Sequence, residues 1–414
     1  MNTTEPIRLV HFADIHIGME NYGQIDPATG VNQRVLDFIR RLRQVVDFAM
    51  AHDADVALFC GDAFKTRDPS PTLQREFARE VMRLANAGIQ VILLVGNHDI
   101  PIMDKRASSV EIYRTLAVAN VYVGNKEQLI TVQTKHGPLQ VGIAPWPVRS
   151  RLMQLTEFHS YNMEQLDREM ERILDDELTQ MALKVDPTIP AVLAAHFTVS
   201  GATFGSERSV MVGKVTVVLQ SLLKNSAWDY VAMGHIHKHQ IVNPNEYPEI
   251  VYSGSLERID FGEEREPKGF CWVEVTRNHT QWSFIHVDAR PFVTIDVDAT
   301  QDADTPTDAV LRAIARTECV DAVVRIRVKL LQAQEPLFKQ KEVEKALSEV
   351  GFFVGITKDI QRETRTRIGL QKAESLSADQ LLHEYFVSKN SDPVQVAALM
   401  EIAKVILNTP KVSK

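Results

Sequence analysis

Buried strands alternate with amphipathic helices in the N-terminal part of the chain, and this order constrains the fold most. Three apolar runs, 7–13, 55–60 and 89–95, are typical of buried strands. An amphipathic helix is predicted from Val31 onward, and a second over 71–87, because apolar residues recur there every three or four positions. The resulting β-α-β-α-β order predicts a parallel sheet with helices on its faces.

Strand patterns continue to residue 287, interrupted by an acidic helix at 163–184 that places apolar residues on one face. The further strands are predicted at 118–123, 127–133, 139–145, 191–195, 229–233, 249–252, 269–275 and 281–287. We therefore predict a first domain over 1–288.

The pattern changes near Arg290-Pro291, where a small α+β module is predicted over 289–360. Its strands are FVTIDVD, AVVRIRVKL and FFVGITK, and its helices lie near 307–316 and 338–349. A polar linker is predicted at 361–376, followed by two short helices within 377–414.

Composition excludes several classes of protein. The 414 residues are 44% hydrophobic and 24% charged, so the chain is neither a largely disordered protein nor a coiled-coil rod nor a collagen-like fibre. It lacks a run long enough for a membrane span and the apolar core of a signal peptide, and its 3 cysteines suggest a reducing compartment. We expect a cytoplasmic protein that is not associated with a membrane. The net charge of −8 argues against DNA binding that is driven by broad electrostatic attraction, because DNA is itself negatively charged.

Five of the predicted strands run directly into residue types that bind metal ions. Because the carboxyl ends of strands in an open α/β sheet converge, these residues are expected to share one cleft. Glycines at 61, 96 and 234 are expected to let the backbone turn sharply toward that cleft. The seven candidate ligands are Asp14, His16, Asp62, Asn97, His196, His235 and His237.

Carboxylate, imidazole and amide donors together suit manganese, iron, zinc or magnesium. Seven donors are too many for one ion, but they suffice for two ions that share a bridging carboxylate at roughly 3.5–4 Å separation. Two divalent ions, two carboxylates and a hydroxide leave about one net positive charge, which can hold a phosphodiester.

Such a centre predicts hydrolytic chemistry. Divalent ions lower the pKa of water toward roughly 7, which supplies a hydroxide nucleophile at neutral pH. His98 stands between Asn97 and Asp99, which are expected to orient its ring. It is the candidate for stabilising the pentacovalent state or protonating the leaving oxygen.

The ordered segments resemble those of the calcineurin-like metallophosphoesterase superfamily, which run D-x-H, G-D, G-N-H-[DE], H and G-H-x-H. The resemblance covers residues 7–287. Within the superfamily, three further runs resemble the SbcD-type nuclease subunits: 14–18, 205–208, and 252–258 with 261–263. The fold that this implies is a β-sandwich flanked by helices, with an α+β capping domain that contacts DNA and a C-terminal helical hairpin.

The resemblance also implies roles for single residues. One ion would bind Asp14, His16, Asp62 and His237, the other Asp62, Asn97, His196 and His235, with Asp62 bridging and His98 catalytic. The cofactor would be two divalent ions, Mn²⁺ in the first place and Mg²⁺ as the alternative. Where some relatives carry a histidine three residues after the bridging aspartate, this chain has Lys65. Candidate substrate-binding residues are Lys65, Ser206, Arg208, Ser255 and Arg258.

The implied activity is 3′-to-5′ exonuclease and endonuclease cleavage of DNA ends and hairpins, gated by an SbcC-type, SMC-like ATPase partner. The resemblance also implies a homodimer of the nuclease subunit and association with the nucleoid. The C-terminal helices either dock on that ATPase or cover their own core, and the pattern favours neither.

Two alternatives stay open. One is a phosphatase or phosphodiesterase of the same fold that acts on a substrate other than DNA. The phosphatase pattern continues its second block with Asp-Arg-Gly, whereas this chain reads Gly61-Asp62-Ala63-Phe64-Lys65. The other is a largely structural scaffold of a repair complex, which the complete set of seven candidate ligands disfavours.

Overall fold

The computed structural model describes residues 5–101, 106–148, 160–205, 217–302, 304–362, 377–388 and 392–407. The chain divides into two compact units. The first comprises 1–296, 311–327 and 340–357, and the second 297–310, 328–339 and 358–414. The domain boundaries predicted at 288, 360 and 376 stay predictions.

The strands of the described residues are β1 (Ile7–Phe12), β2 (Val56–Phe59), β3 (Gln90–Leu94), β4 (Val121–Gly124), β5 (Gln128–Thr134), β6 (Gly137–Ala144), β7 (Ala191–His196), β8 (Thr198–Val199), β9 (Val217–Val218), β10 (Tyr230–Gly234), β11 (Gln240–Ile241), β12 (Ile250–Tyr252), β13 (Gly269–Thr276), β14 (His279–His286), β15 (Phe292–Asp298), β16 (Val323–Leu331) and β17 (Phe352–Gln361). The α-helices are α1 (Gln33–Ala51), α2 (Pro71–Asn86), α3 (Ile112–Thr115), α4 (Met163–Leu183), α5 (Gln220–Leu223), α6 (Pro306–Arg316), α7 (Gln340–Ala346), α8 (Ala378–Ser388) and α9 (Pro393–Leu407), with 3₁₀ turns at Phe261–Glu263 and Gln332–Leu337.

Two six-stranded sheets form the larger part of the first unit. The first has the order β14-β13-β1-β2-β3-β4 and the second β11-β12-β10-β7-β6-β5. The predicted parallel sheet is confirmed for β1 to β4, which pair in parallel. The prediction is incomplete at one edge, because β13 and β14 close the sheet in antiparallel register. In the second sheet β6, β7, β10 and β12 are parallel neighbours.

Alternation along the strands explains why two sheets stack. Leu9 and Leu58 point into a core shared with the second sheet, where they join Val141 and Ala232. The opposite faces of the first sheet's strands pack against α1 and α2, and those of the second sheet pack against α4. Helices therefore cover only the outer face of each sheet, not both faces of the first. The β-sandwich flanked by helices is confirmed.

The acidic helix α4 shows the predicted apolar face. The buried residues on this face are Leu166, Met170, Leu174, Leu178 and Met181. The helix begins at a capping box in which the Asn162 side chain accepts the N–H of Gln165 and the Gln165 side chain accepts the N–H of Asn162. Most charged residues of the helix are exposed to solvent.

The α+β elements after Arg290 also follow the sequence pattern. The strands form a sheet of order β15-β16-β17. Helix α7 is shorter than the predicted 338–349, because the N–H groups of Leu347 and Ser348 bond to carbonyls three residues back instead of four. Helices α8 and α9 pack against each other. Most of the predicted linker, 363–376, lies outside the described residues.

Over the part of the chain that the structure describes, no helix combines the length and the hydropathy that crossing a membrane would need.

Candidate metal centre

Four of the seven candidate ligands have a left-handed backbone at the strand ends. Asp14, His16, Asp62 and His235 have φ angles of 51°, 50°, 63° and 95°. This region is unfavourable for residues other than glycine, and strained backbone of this kind clusters at functional sites. Hydrogen bonds between the two loops maintain it, since Asp14 N donates to Gly61 O at 3.0 Å and His16 N to Asp62 O at 3.1 Å.

The carboxylate of Asp62 lies between two histidines. Its Oδ2 atom is 3.4 Å from His196 Nε2 and 3.8 Å from His16 Nε2. Its Oδ1 atom accepts the backbone N–H of His98 at 2.8 Å. A carboxylate in this central position could contact a cation on either side.

Three overlapping sets of side chains converge closely enough to hold cations. In each set the ligand atoms lie within 4.8 Å of one another, and most of the side chains are buried. Two of them share Asp14 and two share Asp62, so the sets form one continuous centre. The sets are Asp14, His16 and His237; His16, Asp62 and His98; and Asp14, Asp62 and His196.

Asn97 and His235 complete the cluster. The Oδ1 atom of Asn97 lies 3.1 Å from both His196 Nε2 and His235 Nδ1. The backbone N–H of His235 donates to both carboxylate oxygens of Asp14, at 3.1 and 3.0 Å. The structure therefore brings all seven predicted ligands together, although they are spread from residue 14 to residue 237.

Hydrogen bonds fix which ring nitrogen faces the centre. His196 Nδ1 donates to the carbonyl of Cys60 at 2.6 Å, and His237 Nδ1 donates to Glu263 Oε1 at 2.9 Å. In the neutral rings both Nε2 atoms are thus electron-pair donors that point inward. His237 Nε2 lies 3.0 Å from His16 Nε2, and among the described residues the buried His235 Nε2 has no hydrogen-bond partner.

The Asp62 carboxylate favours positive charge on the neighbouring His196 ring. Burial alone would lower the pKa of His196, but the Asp62 carboxylate outweighs it and raises this pKa to about 9. The same pairing holds the pKa of Asp62 well below its ordinary value although burial opposes it. Burial raises the pKa of Asp14 to about 6. Inward-facing nitrogens around a deprotonated carboxylate are a donor set that fits divalent cations.

The three glycines of the sequence motifs are required by close approach as well as by turning. A Cβ on Gly96 would lie 2.2 Å from Asp62 Oδ1, and one on Gly234 would lie 2.0 Å from Cys60 O. Gly61 also has a positive φ of 96°, and a Cβ there would lie 2.4 Å from His196 Nδ1. The predicted sharp turn is thus found at Gly61, which has a positive φ. At Gly96 and Gly234 the missing side chain instead leaves room for the Asp62 carboxylate and the Cys60 carbonyl.

His98 is oriented differently from the prediction. Its Nδ1 atom donates to the backbone carbonyl of Lys65 at 2.7 Å, and its ring centroid lies 4.8 Å from that of His16. Asp99 does not hold this ring. Its carboxylate accepts the backbone N–H groups of Asp62, Ala63 and Gly96. The orienting group is therefore a carbonyl, which side-chain patterns do not reveal.

The predicted substrate-binding residues are placed less favourably. Ser255 is fully buried, and its hydroxyl donates to the carbonyl of Glu257. The Arg258 guanidinium donates to three backbone carbonyls, those of Ala289, Arg290 and Glu266. Lys65 is half-buried beside His98, whereas Ser206 and Arg208 lie outside the described residues.

Sequence reasoning missed two residues of the site. Glu263 orients His237 from within the run 261–263, a run that in the sequence indicates only the family resemblance. Trp146 follows the end of β6, and its ring centroid lies 4.8 Å from that of His235. The available signal was a strand end followed by an aromatic residue, which is not a metal-ligand type.

Comparison with known families gives a match over this same region. The family profile described as calcineurin-like phosphoesterase matches residues 7–239. The matched range contains all seven candidate ligands and His98.

Individual proteins are similar to this chain at low sequence identity. The chain is 25% identical over 264 residues to the SbcD component of the nuclease SbcCD of Escherichia coli (strain K12), which covers 62% of this chain and 62% of that protein. It is 25% identical over 326 residues to the DNA double-strand break repair protein Mre11 of Haloferax volcanii, covering 78% of this chain and 61% of the relative. The chain thus spans less than two thirds of the length of these relatives. A dimetal phosphatase from Danio rerio has a TM-score of 0.41 at 10% identity, covering 68% of this chain and 97% of that structure.

Proposed function

Because this chain belongs to the calcineurin-like phosphoesterase family, we propose that it is a metal-dependent DNA nuclease, the catalytic subunit of an ATPase-regulated repair complex. Its substrates are DNA ends and hairpins, cleaved as a 3′-to-5′ exonuclease and as an endonuclease. The observation that carries the proposal is the position of Asp62, whose carboxylate lies between His16 and His196 inside a buried ring of donors.

The donor set fits two divalent ions, for which Mn²⁺ is proposed and Mg²⁺ is the alternative. One ion would be held by Asp14, His16, Asp62 and His237. The other would be held by Asn97, His196 and His235 together with Asp62. When bound, such ions polarise phosphoryl oxygens and lower the pKa of water.

The protein's own side chains orient the reaction. His98 Nδ1 is occupied by the carbonyl of Lys65, so Nε2 is the atom that can exchange a proton with a phosphodiester or its leaving oxygen. The bond from His98 N to Asp62 Oδ1 fixes this residue relative to the centre. His98 would therefore stabilise developing charge or protonate the leaving oxygen, and its backbone is held by Asp62, which belongs to both proposed ligand sets.

Two observations favour DNA over the substrates of the family's phosphatases. After Asp62 the chain continues with Ala63, Phe64 and Lys65 and lacks the Asp-Arg-Gly of the phosphatase pattern. The similar proteins from Escherichia coli and Haloferax volcanii are named as part of a nuclease and as a DNA double-strand break repair protein.

An SbcC-type ATPase is the proposed partner of α8 and α9. These helices leave apolar side chains in solvent, including Tyr385 at 42%, Leu399 at 41% and Ile402 at 58% exposure. Exposed apolar residues on an amphipathic helix pair are suited to docking on a partner helix. We also propose that the protein forms a homodimer and acts in the cytoplasm at the nucleoid.

The proposal is tested by a cleavage assay with the purified full chain. The substrates are blunt and hairpin DNA, compared with a phosphopeptide and a cyclic dinucleotide, with Mn²⁺ and with chelator. We expect Mn²⁺-dependent cleavage of the DNA substrates and at most slow turnover of the others. Preferential hydrolysis of the phosphopeptide or the cyclic dinucleotide would contradict the proposal and favour the alternative hydrolase.

A further inference from the structure

A buried lysine lies directly behind the metal centre. Lys268 precedes β13 and is 2% exposed. Lysine is almost never this buried unless its charge is paired, because removing an ammonium from water costs several kcal/mol. Neither the family motifs nor the predicted ligand set includes this residue, so its burial calls for an explanation.

The ammonium of Lys268 is surrounded by acceptors. Its Nζ atom lies 2.9 Å from Glu263 Oε2, 3.1 Å from Glu266 Oε2 and 2.9 Å from Ser255 Oγ. It also donates to the backbone carbonyl of His237 at 3.2 Å. Because these four acceptors lie around one ammonium with three N–H bonds, the position of Nζ is fixed from several sides.

Glu263 connects this lysine with the imidazole of His237. One carboxylate oxygen, Oε1, accepts His237 Nδ1–H at 2.9 Å. The other, Oε2, accepts the backbone N–H of Ile259 at 3.0 Å and faces Lys268. Each oxygen thus has a separate task, so that the carboxylate cannot rotate without losing one set of bonds.

Lys268 therefore interacts with His237 in two ways. It donates a hydrogen bond directly to the His237 carbonyl, and it pairs with Glu263, which accepts the N–H of the His237 ring. We propose that Lys268 is a positioning residue that holds Glu263 against His237 and keeps the Nε2 atom of this ring directed at one ion of the centre. The inference rests on the proposed two-ion function and adds a residue that determines the occupancy of one of its two sites. Orienting partners of this kind change metal affinity by about 10- to 100-fold.

The effect should be confined to one half of the centre. His237 groups with Asp14 and His16, whereas His196 is oriented independently by the carbonyl of Cys60. A merely structural role of Lys268, as the counter-charge of buried carboxylates, would weaken the fold and thereby both ions together. Selectivity between the two ions separates the two explanations.

The experiment measures Mn²⁺ binding to the full chain by isothermal titration calorimetry, without DNA, together with circular dichroism of each variant. The variants are Lys268→Met, which removes the charge, and Lys268→Arg, which restores it. Glu263→Gln keeps an acceptor for His237 but removes the charge that Lys268 pairs with. Lys224→Met is the control, because Lys224 pairs with Glu246, a carboxylate that is not among the seven ligands and orients none of them.

We expect the wild type to bind two Mn²⁺ ions, and Lys224→Met to bind each of them as tightly as the wild type does. Lys268→Met should lose about tenfold or more in the affinity of one ion and less than about twofold in the other, with Lys268→Arg intermediate. Two unchanged affinities, or equal losses at both ions, in a folded variant would overturn the proposal. If Lys268→Met does not fold, the same criteria apply to Glu263→Gln. A wild type that binds no Mn²⁺, or a single ion, would instead contradict the proposed function itself.

Discussion

The carboxylate of Asp99 accepts the backbone N–H of Asp62 at 2.8 Å, so one buried carboxylate holds the loop that carries another. Its two oxygens also accept the N–H groups of Ala63 and Gly96 and the hydroxyl of Ser109. Asp99 belongs to the same short motif as Asn97 and His98, yet it neither joins the ligands nor orients the histidine. It fixes the loop after β2 instead.

Asp99→Asn is therefore expected to destabilise the protein. The amide would place N–H groups against backbone N–H groups, and at least one buried donor would lose its acceptor, at about 1–3 kcal/mol. Urea unfolding with chelator measures this change. Ser109→Ala removes one donor but leaves no backbone group unpaired, and should cost about 1 kcal/mol or less. Equal stability of Asp99→Asn and the wild type would contradict the role given to Asp99.

His98→Ala is expected to abolish DNA cleavage while Mn²⁺ still binds. Loss of a general acid or charge-stabilising group lowers kcat by about 10²- to 10⁴-fold. His98 also lies in one of the three candidate cation sets, with His16 and Asp62, so binding and turnover must be measured on the same sample. Loss of an Mn²⁺ ion in this variant would make His98 a ligand, and full activity would remove it from the chemistry.

His11 is expected to make stability depend on pH. It is buried in the sandwich, with Nδ1 3.1 Å from the Tyr230 hydroxyl and Nε2 3.1 Å from the carbonyl of Met233. Burial lowers its pKa from 6.5 to about 3. Between these values the unfolded chain binds a proton that the folded chain excludes, so this contribution to stability is present above pH 6.5 and is lost as the pH falls.

The measurement is urea unfolding at pH 7 and at about pH 4.5, with chelator, in the wild type and in His11→Gln. The wild type should lose roughly 2–3 kcal/mol more than the variant over this interval, at about 1.4 kcal/mol for each pKa unit. The same pH dependence in both proteins would show that His11 is charged in the fold or does not titrate differently on unfolding.

Deletion of residues 377–414 is expected to separate catalysis from assembly. The candidate ligands lie at residues up to 237, and Glu263 orients one of them, so Mn²⁺-dependent nicking should persist. Co-purification with the ATPase should be lost, because the exposed apolar side chains of α8 and α9 are removed. Unchanged binding of the ATPase would contradict this role and favour the alternative that the helices cover their own core.

Much of this fold could be predicted because each element carries its own signal. The pattern predicts β3 at 89–95, where the strand runs Gln90–Leu94, and α4 at 163–184, where the helix runs Met163–Leu183. The convergence of the candidate ligands follows from a topological rule, that the carboxyl ends of parallel strands meet at one edge. Their roles as ligands stay predictions.

The rest depended on contacts between distant residues. Nothing in the local pattern connects Glu263 with His237, 26 positions earlier, or distinguishes Ser255 as a buried donor from a surface residue. The antiparallel closure by β13 and the carbonyl that orients His98 are likewise properties of the assembled sheets. The sequence pattern shows which residue types are present, but tertiary packing decides which way their side chains point.

The central claim is that Asp62 bridges two metal ions. Crystals of the full chain grown with Mn²⁺, with diffraction data collected at the manganese absorption edge, test it most directly. The account predicts two anomalous peaks roughly 3.5–4 Å apart, one on each side of the Asp62 carboxylate. A single peak, or two peaks that do not share Asp62, would contradict it.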